Sequence, residues 1–144
     1  MSIAGTIFVN TLKAHQALYE RSGGRIGHKL LGVPTLLLTT KGRKTGKERV
    51  SALTYASVTG GYAVVASNGG ASKNPGWLHN LIAQPEVKVQ VGRDVFPAVA
   101  RVVRPGDNEY DDAWAAVNRV NKNRYSAYQK MTSRPIPVVI LAKN

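Results

Sequence analysis

The chain contains no cysteine, which removes disulfides, thiol catalysis and every thiolate metal site and fits a reducing compartment. Histidines are scarce and scattered (His15, His28, His79), and only eight acids are present, so a protein-built metal centre is not expected. No segment approaches the roughly 20 apolar residues of a membrane-spanning helix. The first residues lack the basic and apolar regions of a secretory signal, so the expected location is the cytoplasm. A Walker loop is missing as well: Gly42 and Gly46 are one residue too close, and the segment runs into a strand-like stretch rather than a helix. No GxGxxG follows a strand, which leaves a Rossmann site unsupported.

What the chain does have is positive charge. Its 144 residues, 43% hydrophobic and 19% charged, describe one soluble globular domain, residues 1–144, with enough length to bury a core. A net charge of +12 calls for an anionic partner: nucleic acid, an anionic membrane surface or a polyanionic small molecule. The cations concentrate at Lys41-Gly42-Arg43-Lys44-Thr45-Gly46-Lys47-Glu48-Arg49, where five of nine residues are basic and two are glycine. Such a loop between strands offers backbone N–H groups and cationic side chains to a phosphate or carboxylate. A solvated, charged hairpin turn is the plain alternative, and this segment alone does not separate the two.

The pattern along the chain predicts an α+β domain. Residues 3–21 suggest an amphipathic helix carrying Ile3, Ile7, Leu12, Leu18 and Tyr19, ended by Gly23-Gly24, with residues 22–34 as a Gly-rich connector. Packing on the domain is its main expected role. Contact with a membrane surface is the minority reading, because Lys13 and Arg21 make a thin basic face. Strands are expected at 35–40, 50–57 and 62–67, the last two joined by a Thr59-Gly60-Gly61 turn. Asn68 to Lys73 forms a second glycine-bearing loop. Asn74 is the expected N-cap, and Pro75 the first residue, of a short helix carrying Trp77, Leu78, Leu81 and Ile82. Alternating Val87, Val89, Val91 and then Phe96, Ala98, Ala100, Val102 give two further strands, with Pro97 marking an edge or bulge. Asp107 is the expected cap of a helix holding Tyr110, Trp114 and Val117. A polar stretch, 121–134, carries Tyr125 and Tyr128 and leads to a last strand from Ile136 to Ala142. Five or six mostly antiparallel strands with short turns favour a curled or barrel-like sheet, which hides its edges.

A glycine pair lets a ligand approach the backbone closely, and a helix starting near Pro75 presents free N–H groups. The segment from Asn68 to Asn80 is therefore a second anion-compatible loop, though taken alone a purely structural loop and cap is the favoured reading. Tyr125 and Tyr128 share a face if helical, where packing is the commoner duty. His79 and Ser67 carry no decisive signal of their own.

Three stretches together, PTLLLTTKGRKTGKERVSALTYA, VVASNGGASKNPGWLHNLIAQPEVKVQV and SRPIPVVIL, resemble the deazaflavin-dependent nitroreductase family from about Pro34 to the end. The resemblance implies a split β-barrel with an N-terminal helix and flanking helices. It also implies binding of coenzyme F420, an 8-hydroxy-5-deazaflavin with a phosphodiester and an oligoglutamate tail. The implied activity is hydride transfer from the reduced coenzyme to a small-molecule acceptor, a quinone, enone or nitroaromatic. By the family pattern Arg43, Lys44 and Thr45 hold the anionic end, with Arg49 beside them. Val50, Ser51, Ala52, Leu53 and Thr54, with Val65, Ala66, Ser67 and Asn68, line the deazaflavin. Gly76, Trp77, Leu78, His79 and Asn80 close over it. Tyr125, Tyr128 and Ser67 match residues facing the reacting end and are the catalytic candidates. Asn68 replaces a lysine common in relatives, Thr54 a tyrosine of some, and Lys122 a third acceptor-side tyrosine, which leaves acceptor preference open. The competing readings are a split barrel using flavin mononucleotide and a non-catalytic deazaflavin-binding protein. Nucleic-acid binding is not expected, for lack of a recognition helix or an aromatic RNA-binding signature.

Overall fold

The computed structural model describes residues 29–30 and 33–143. The predicted helix at 3–21, His15, His28 and most of the 22–34 connector lie outside the described residues. Within them the order is β1 (Lys29–Leu30), β2 (Val33–Lys41), β3 (Glu48–Thr54), β4 (Ala56–Val58), β5 (Gly61–Val65), a 3-10 turn (Asn68–Gly70) and α1 (Gly76–Ala83). Then come β6 (Glu86–Val91), β7 (Asp94–Val103), α2 (Tyr110–Val120), α3 (Arg124–Gln129) and β8 (Val138–Lys143).

The eight strands run β1-β2-β6-β7-β8-β5-β4, with β3 attached to β2, and every pairing is antiparallel. Curling is forced by covalent geometry. β3 is paired with β2 near one end of this path and β4 forms the other end, yet Tyr55 alone separates them in sequence. Two residues of chain span at most about 7 Å, so the two ends of the sheet must meet. Tyr55 makes the corner: its N–H donates to the Pro34 carbonyl at 3.1 Å, and its ring meets Tyr62 edge-on at 5.3 Å. The stretch 50–57, expected as one strand, is therefore two. Nothing local betrays the break, because its cause is a contact 21 positions back in the chain.

Alternation along the strands divides two cores. Val64 pairs with Val139, and both point into the barrel with Leu36, Leu38, Val89, Phe96 and Leu141. Val65 pairs with Val138, and both point outward under α2 and α3, meeting Tyr110, Val117, Tyr125 and Ile136. α1 plugs the barrel with Leu78 and Leu81, both almost fully buried. Burial of each such leucine contributes about 1.5–3 kcal/mol. The β4–β5 turn needs glycine at two adjacent positions for different reasons: Gly60 has φ +85°, while a Cβ on Gly61 would overlap the Leu141 carbonyl of β8. Pro97 sits where β7 pairs with β6 alone, because pairing with β8 begins at Ala98. That is the edge position a residue without N–H requires.

Both expected caps are corrected. α1 starts one residue later than expected, with Pro75 as N-cap, and the Asn74 side chain instead accepts from Arg134 at 2.8 Å. α2 starts at Tyr110 behind Glu109, and the Asp107 carboxylate accepts from the Arg104 N–H at 2.8 Å, closing the preceding turn. The last strand begins at Val138 rather than Ile136.

Candidate functional site

The cationic loop between β2 and β3 is held by its own backbone. The Gly42 N–H donates to the Lys47 carbonyl at 2.7 Å and the Gly46 N–H to the Gly42 carbonyl at 2.8 Å, with Gly46 at φ +72°. Thr45 shapes the same turn, its hydroxyl accepting from the Lys47 N–H at 3.2 Å. Asn80 of α1 clasps the loop from the other side. Its amide oxygen accepts from the Arg43 N–H at 3.2 Å, and its NH2 donates to the Thr40 hydroxyl at 3.2 Å. Asn80 is buried, so both halves of its amide need these partners.

Between loop and helix lies a cavity of about 370 Å³ lined by Arg43, Lys44, Thr45, Arg49 and Ser51, with Gly76, Trp77 and Asn80 opposite. Three cations and no carboxylate face it. The ion pair found among the described residues, Arg101–Glu109 at 2.7 Å, involves none of them. A second cavity of about 450 Å³ adjoins it along β3 and shares Trp77. Ala52, Leu53 and Val65 give it apolar walls, and Thr54, Ser67, Asn68 and Gly69, with Tyr125 and Tyr128 of α3, complete its lining. β3 pairs with β2 on one edge only, so alternate N–H and C=O groups of residues 50–54 are left to a ligand lying along the groove.

Ser67 is 8% exposed, and its hydroxyl has no hydrogen-bond partner among the described residues. A buried hydroxyl without a partner costs free energy that a ligand can recover. Tyr125 is 6% exposed. Burial pushes its phenol up to about 12, against the opposing pull of hydrogen bonds from Thr54 and Asn121 and the charge of Arg124. Its ring meets Tyr128 at 6.2 Å and Trp114 at 6.4 Å.

The structure thus brings most of the expected residues together around the two cavities and places a few elsewhere. Ala66, expected to line the ring, and Leu78, expected to close over it, turn into the barrel core instead. Val50 and His79 line neither cavity, and His79 is exposed. Sequence reasoning missed Arg134, which fastens the Ser67 side of the groove. Its Nη2 donates to the Ser67 carbonyl at 2.7 Å, Nη1 to the Ala66 carbonyl at 3.2 Å and to Asn74 Oδ1 at 2.8 Å, and Nε to the Ala71 carbonyl at 3.0 Å. Burial lowers the pKa of this guanidinium. The available signal was an arginine inside a motif, SRPIPVVIL, with no acid near it in sequence.

A larger cavity, about 610 Å³, lies between β4 and the start of α2. It carries Glu109 and Asp112 and none of the expected site residues. Among the described residues no group of three or more His, Asp or Glu could hold a metal.

Tyr110 joins Tyr125 in making the fold alkali-sensitive. Its hydroxyl donates to the Ile136 carbonyl at 2.7 Å, and burial, then the charge of Asp111, push its pKa up to about 12. Both folded values lie above the ordinary 10.0. The folded state therefore keeps these protons where the unfolded chain has lost them. Stability is intact below pH 10 and falls as pH climbs toward 12, by about 1.4 kcal/mol per pH unit for each tyrosine. Melting curves at rising pH should show this loss, with a shallower slope in Tyr110→Phe. An unchanged slope in that variant would refute the assignment.

A family model described as F420H(2)-dependent quinone reductase matches residues 11–143. An F420H(2)-dependent quinone reductase of Mycobacterium tuberculosis (strain ATCC 25618 / H37Rv) is 48% identical over 136 residues, covering 94% of this chain and 91% of the relative. A solved F420-H2 dependent reductase, FDR-A, superposes with a TM-score of 0.68 at 39% identity, covering 75% of this chain and 93% of that one. The curled antiparallel sheet with its helices is the α+β split barrel of that neighbour. The haem storage protein HutZ of Vibrio cholerae, 18% identical with a TM-score of 0.60 over 76% of this chain and 81% of that one, shares the fold.

Proposed function

Since the chain belongs to the F420H(2)-dependent quinone reductase family, we propose that its joined grooves hold coenzyme F420 and a quinone face to face for hydride transfer. The observation that carries this reading is the junction at Trp77 of a carboxylate-free cationic cavity with an apolar one walled by Tyr125 and Tyr128. A ligand with an anionic tail and a flat, largely apolar ring fits that order of surfaces. When bound, the reduced coenzyme supplies a hydride, so that F420H2 and a quinone become F420 and a hydroquinone.

The residues of the chain divide the remaining work. Arg43, Lys44 and Arg49 neutralise the phosphodiester and carboxylates of the tail, while the Gly42–Lys47 turn keeps them pre-positioned. The free edge of β3 offers main-chain donors and acceptors to the ring, and Trp77 covers it where the two cavities meet. Leu53, Val65 and the aromatic side chains exclude water from the reacting faces. Tyr125 holds its proton to about pH 12, so its role is to donate a hydrogen bond to the quinone oxygen as negative charge builds there. Net protonation of the hydroquinone is left to water. Ser67 supplies a second hydroxyl without a competing partner.

The test is oxidation of F420H2 by a neutral quinone, followed by the return of the oxidised deazaflavin's absorbance, with flavin mononucleotide as the control cofactor. Tyr125→Phe with Tyr128→Phe should lower kcat about tenfold to a hundredfold and leave coenzyme affinity within about twofold. Unchanged turnover in the double variant would remove the tyrosines from the reaction. Nitroaromatics are a second acceptor class for the same groove, measured in the same assay. The proposed compartment is the cytoplasm; among the described residues no helix is long and apolar enough to cross a membrane. Contact of residues 3–21 with a membrane surface is tested by liposome flotation with and without them.

A further inference from the structure

The apolar cavity has one charged residue in its lining, Arg124, whereas Arg43, Lys44 and Arg49 line the other cavity. The tail of the coenzyme accounts for the first group of cations and leaves Arg124 without an assignment. Arg124 is half-buried and forms no ion pair among the described residues. Its one side-chain bond is long, Nη1 to Asn121 Oδ1 at 3.4 Å, so most of its five donors remain free.

Its position is fixed by the turn that carries it. Lys122 and Asn123 both adopt left-handed backbone, φ 57° and 61°, an uncommon conformation for residues with a side chain. Asn118 holds that turn from inside. Its carbonyl accepts from the Asn123 N–H at 2.8 Å, and its side-chain oxygen accepts from the Ser126 N–H at 2.9 Å and hydroxyl at 3.2 Å. A cation set on a braced turn loses less freedom when it binds than one on a loose loop.

On the reading that the apolar cavity holds the acceptor against the coenzyme's ring, we propose that Arg124 selects quinones bearing an ionised oxygen, such as a 2-hydroxy-1,4-naphthoquinone anion, over neutral quinones of the same size. The hydroxyl of such a compound is a vinylogous carboxylic acid and is ionised at neutral pH. Its negative charge makes the ring a poorer hydride acceptor, and a guanidinium beside the oxygen offsets that handicap. The balance is unchanged: the acceptor gains one hydride and one proton, F420H2 becomes F420, and the ionised oxygen takes no part.

The experiment compares kcat/KM for 2-hydroxy- and 2-methoxy-1,4-naphthoquinone with F420H2 in wild type, Arg124→Gln and Arg124→Lys. The anion-to-neutral ratio should fall about tenfold in Arg124→Gln, through KM as well as kcat, and largely recover in Arg124→Lys. A binding measurement stands beside it: calorimetry of 2-naphthoate and of 2-naphthamide on protein saturated with oxidised F420. The carboxylate should bind more tightly than the amide in wild type, and the margin should vanish in Arg124→Gln. A ratio and a margin both unmoved by Arg124→Gln would overturn the proposal. So would a loss of F420 affinity in Arg124→Gln with the ratio intact, since the guanidinium would then serve the coenzyme. If wild type oxidises F420H2 with neither quinone, the quinone-reductase reading fails, and the calorimetry still decides Arg124.

Discussion

Replacing Arg43 and Lys44 together with alanine is expected to weaken F420 binding about 30- to 100-fold without unfolding the protein. A charge-assisted hydrogen bond contributes about 1.5–3 kcal/mol. Both side chains are exposed, so water screens them, and about 2–3 kcal/mol for the pair is the sensible sum. The fold should tolerate the change because main-chain bonds hold the loop. Arg43 keeps its backbone donation to Asn80 whatever its side chain, and the Gly42–Lys47 and Gly46–Gly42 bonds involve no side chain. Fluorescence titration of the oxidised coenzyme gives the affinity, and a melting curve checks the fold. Wild-type affinity should also fall with added salt, and the variant's should fall less steeply. Equal affinities would mean that the loop is a charged turn and that the tail binds elsewhere.

This loop was legible in the sequence because its information is local: five cations, two glycines and a strand on each side. The alternation of Val87, Val89 and Val91 was legible for the same reason, since one face of that strand is solvated and the other is core. The expectations that the structure corrects share a different cause. Asn74 and Asp107 both have the right chemistry to cap a helix, but each is engaged by a partner that local rules do not see. The corner at Tyr55 is set by Pro34, and the glycine at position 61 by a strand that follows some 80 residues later. Arg134 is the extreme case: its four acceptors lie 60 to 68 positions away in the chain.

Arg134→Ala is expected to be the most destabilising single change near the groove, by about 2–5 kcal/mol. The loss does not come from a broken ion pair, since Arg134 has none among the described residues. It comes from the acceptors left behind. The Ala66 carbonyl belongs to a residue 0% exposed, too buried to recover a water, and an orphaned acceptor costs about 1–3 kcal/mol. The Ser67 carbonyl keeps the Gly70 N–H at 3.0 Å but loses a charge-assisted bond worth about 1.5–3 kcal/mol. Ala71 is exposed and Asn74 half-buried, so those two rehydrate at little cost. Arg134 itself is held in place by Gln129, which donates to its carbonyl at 2.9 Å and accepts from the Ile136 N–H at 2.9 Å. Arg134→Lys should recover only part of the loss, because one ammonium on a flexible stem cannot reach acceptors spread over four residues. For a chain of this size the alanine variant should melt about 10 °C lower. The function should report the same geometry through a different number. Ser67 is fixed to the groove by its own carbonyl on Arg134, so at temperatures where the variant is folded kcat should fall more than coenzyme affinity. A melting temperature within about 2 °C of wild type, or a fall in affinity with kcat intact, would show that the Ser67 turn is held by other means. Gly70 is the candidate for such means: it packs against the Tyr128 carbonyl and Met131, where a Cβ would lie 3.0 Å from that oxygen, joining the turn to α3 independently of Arg134.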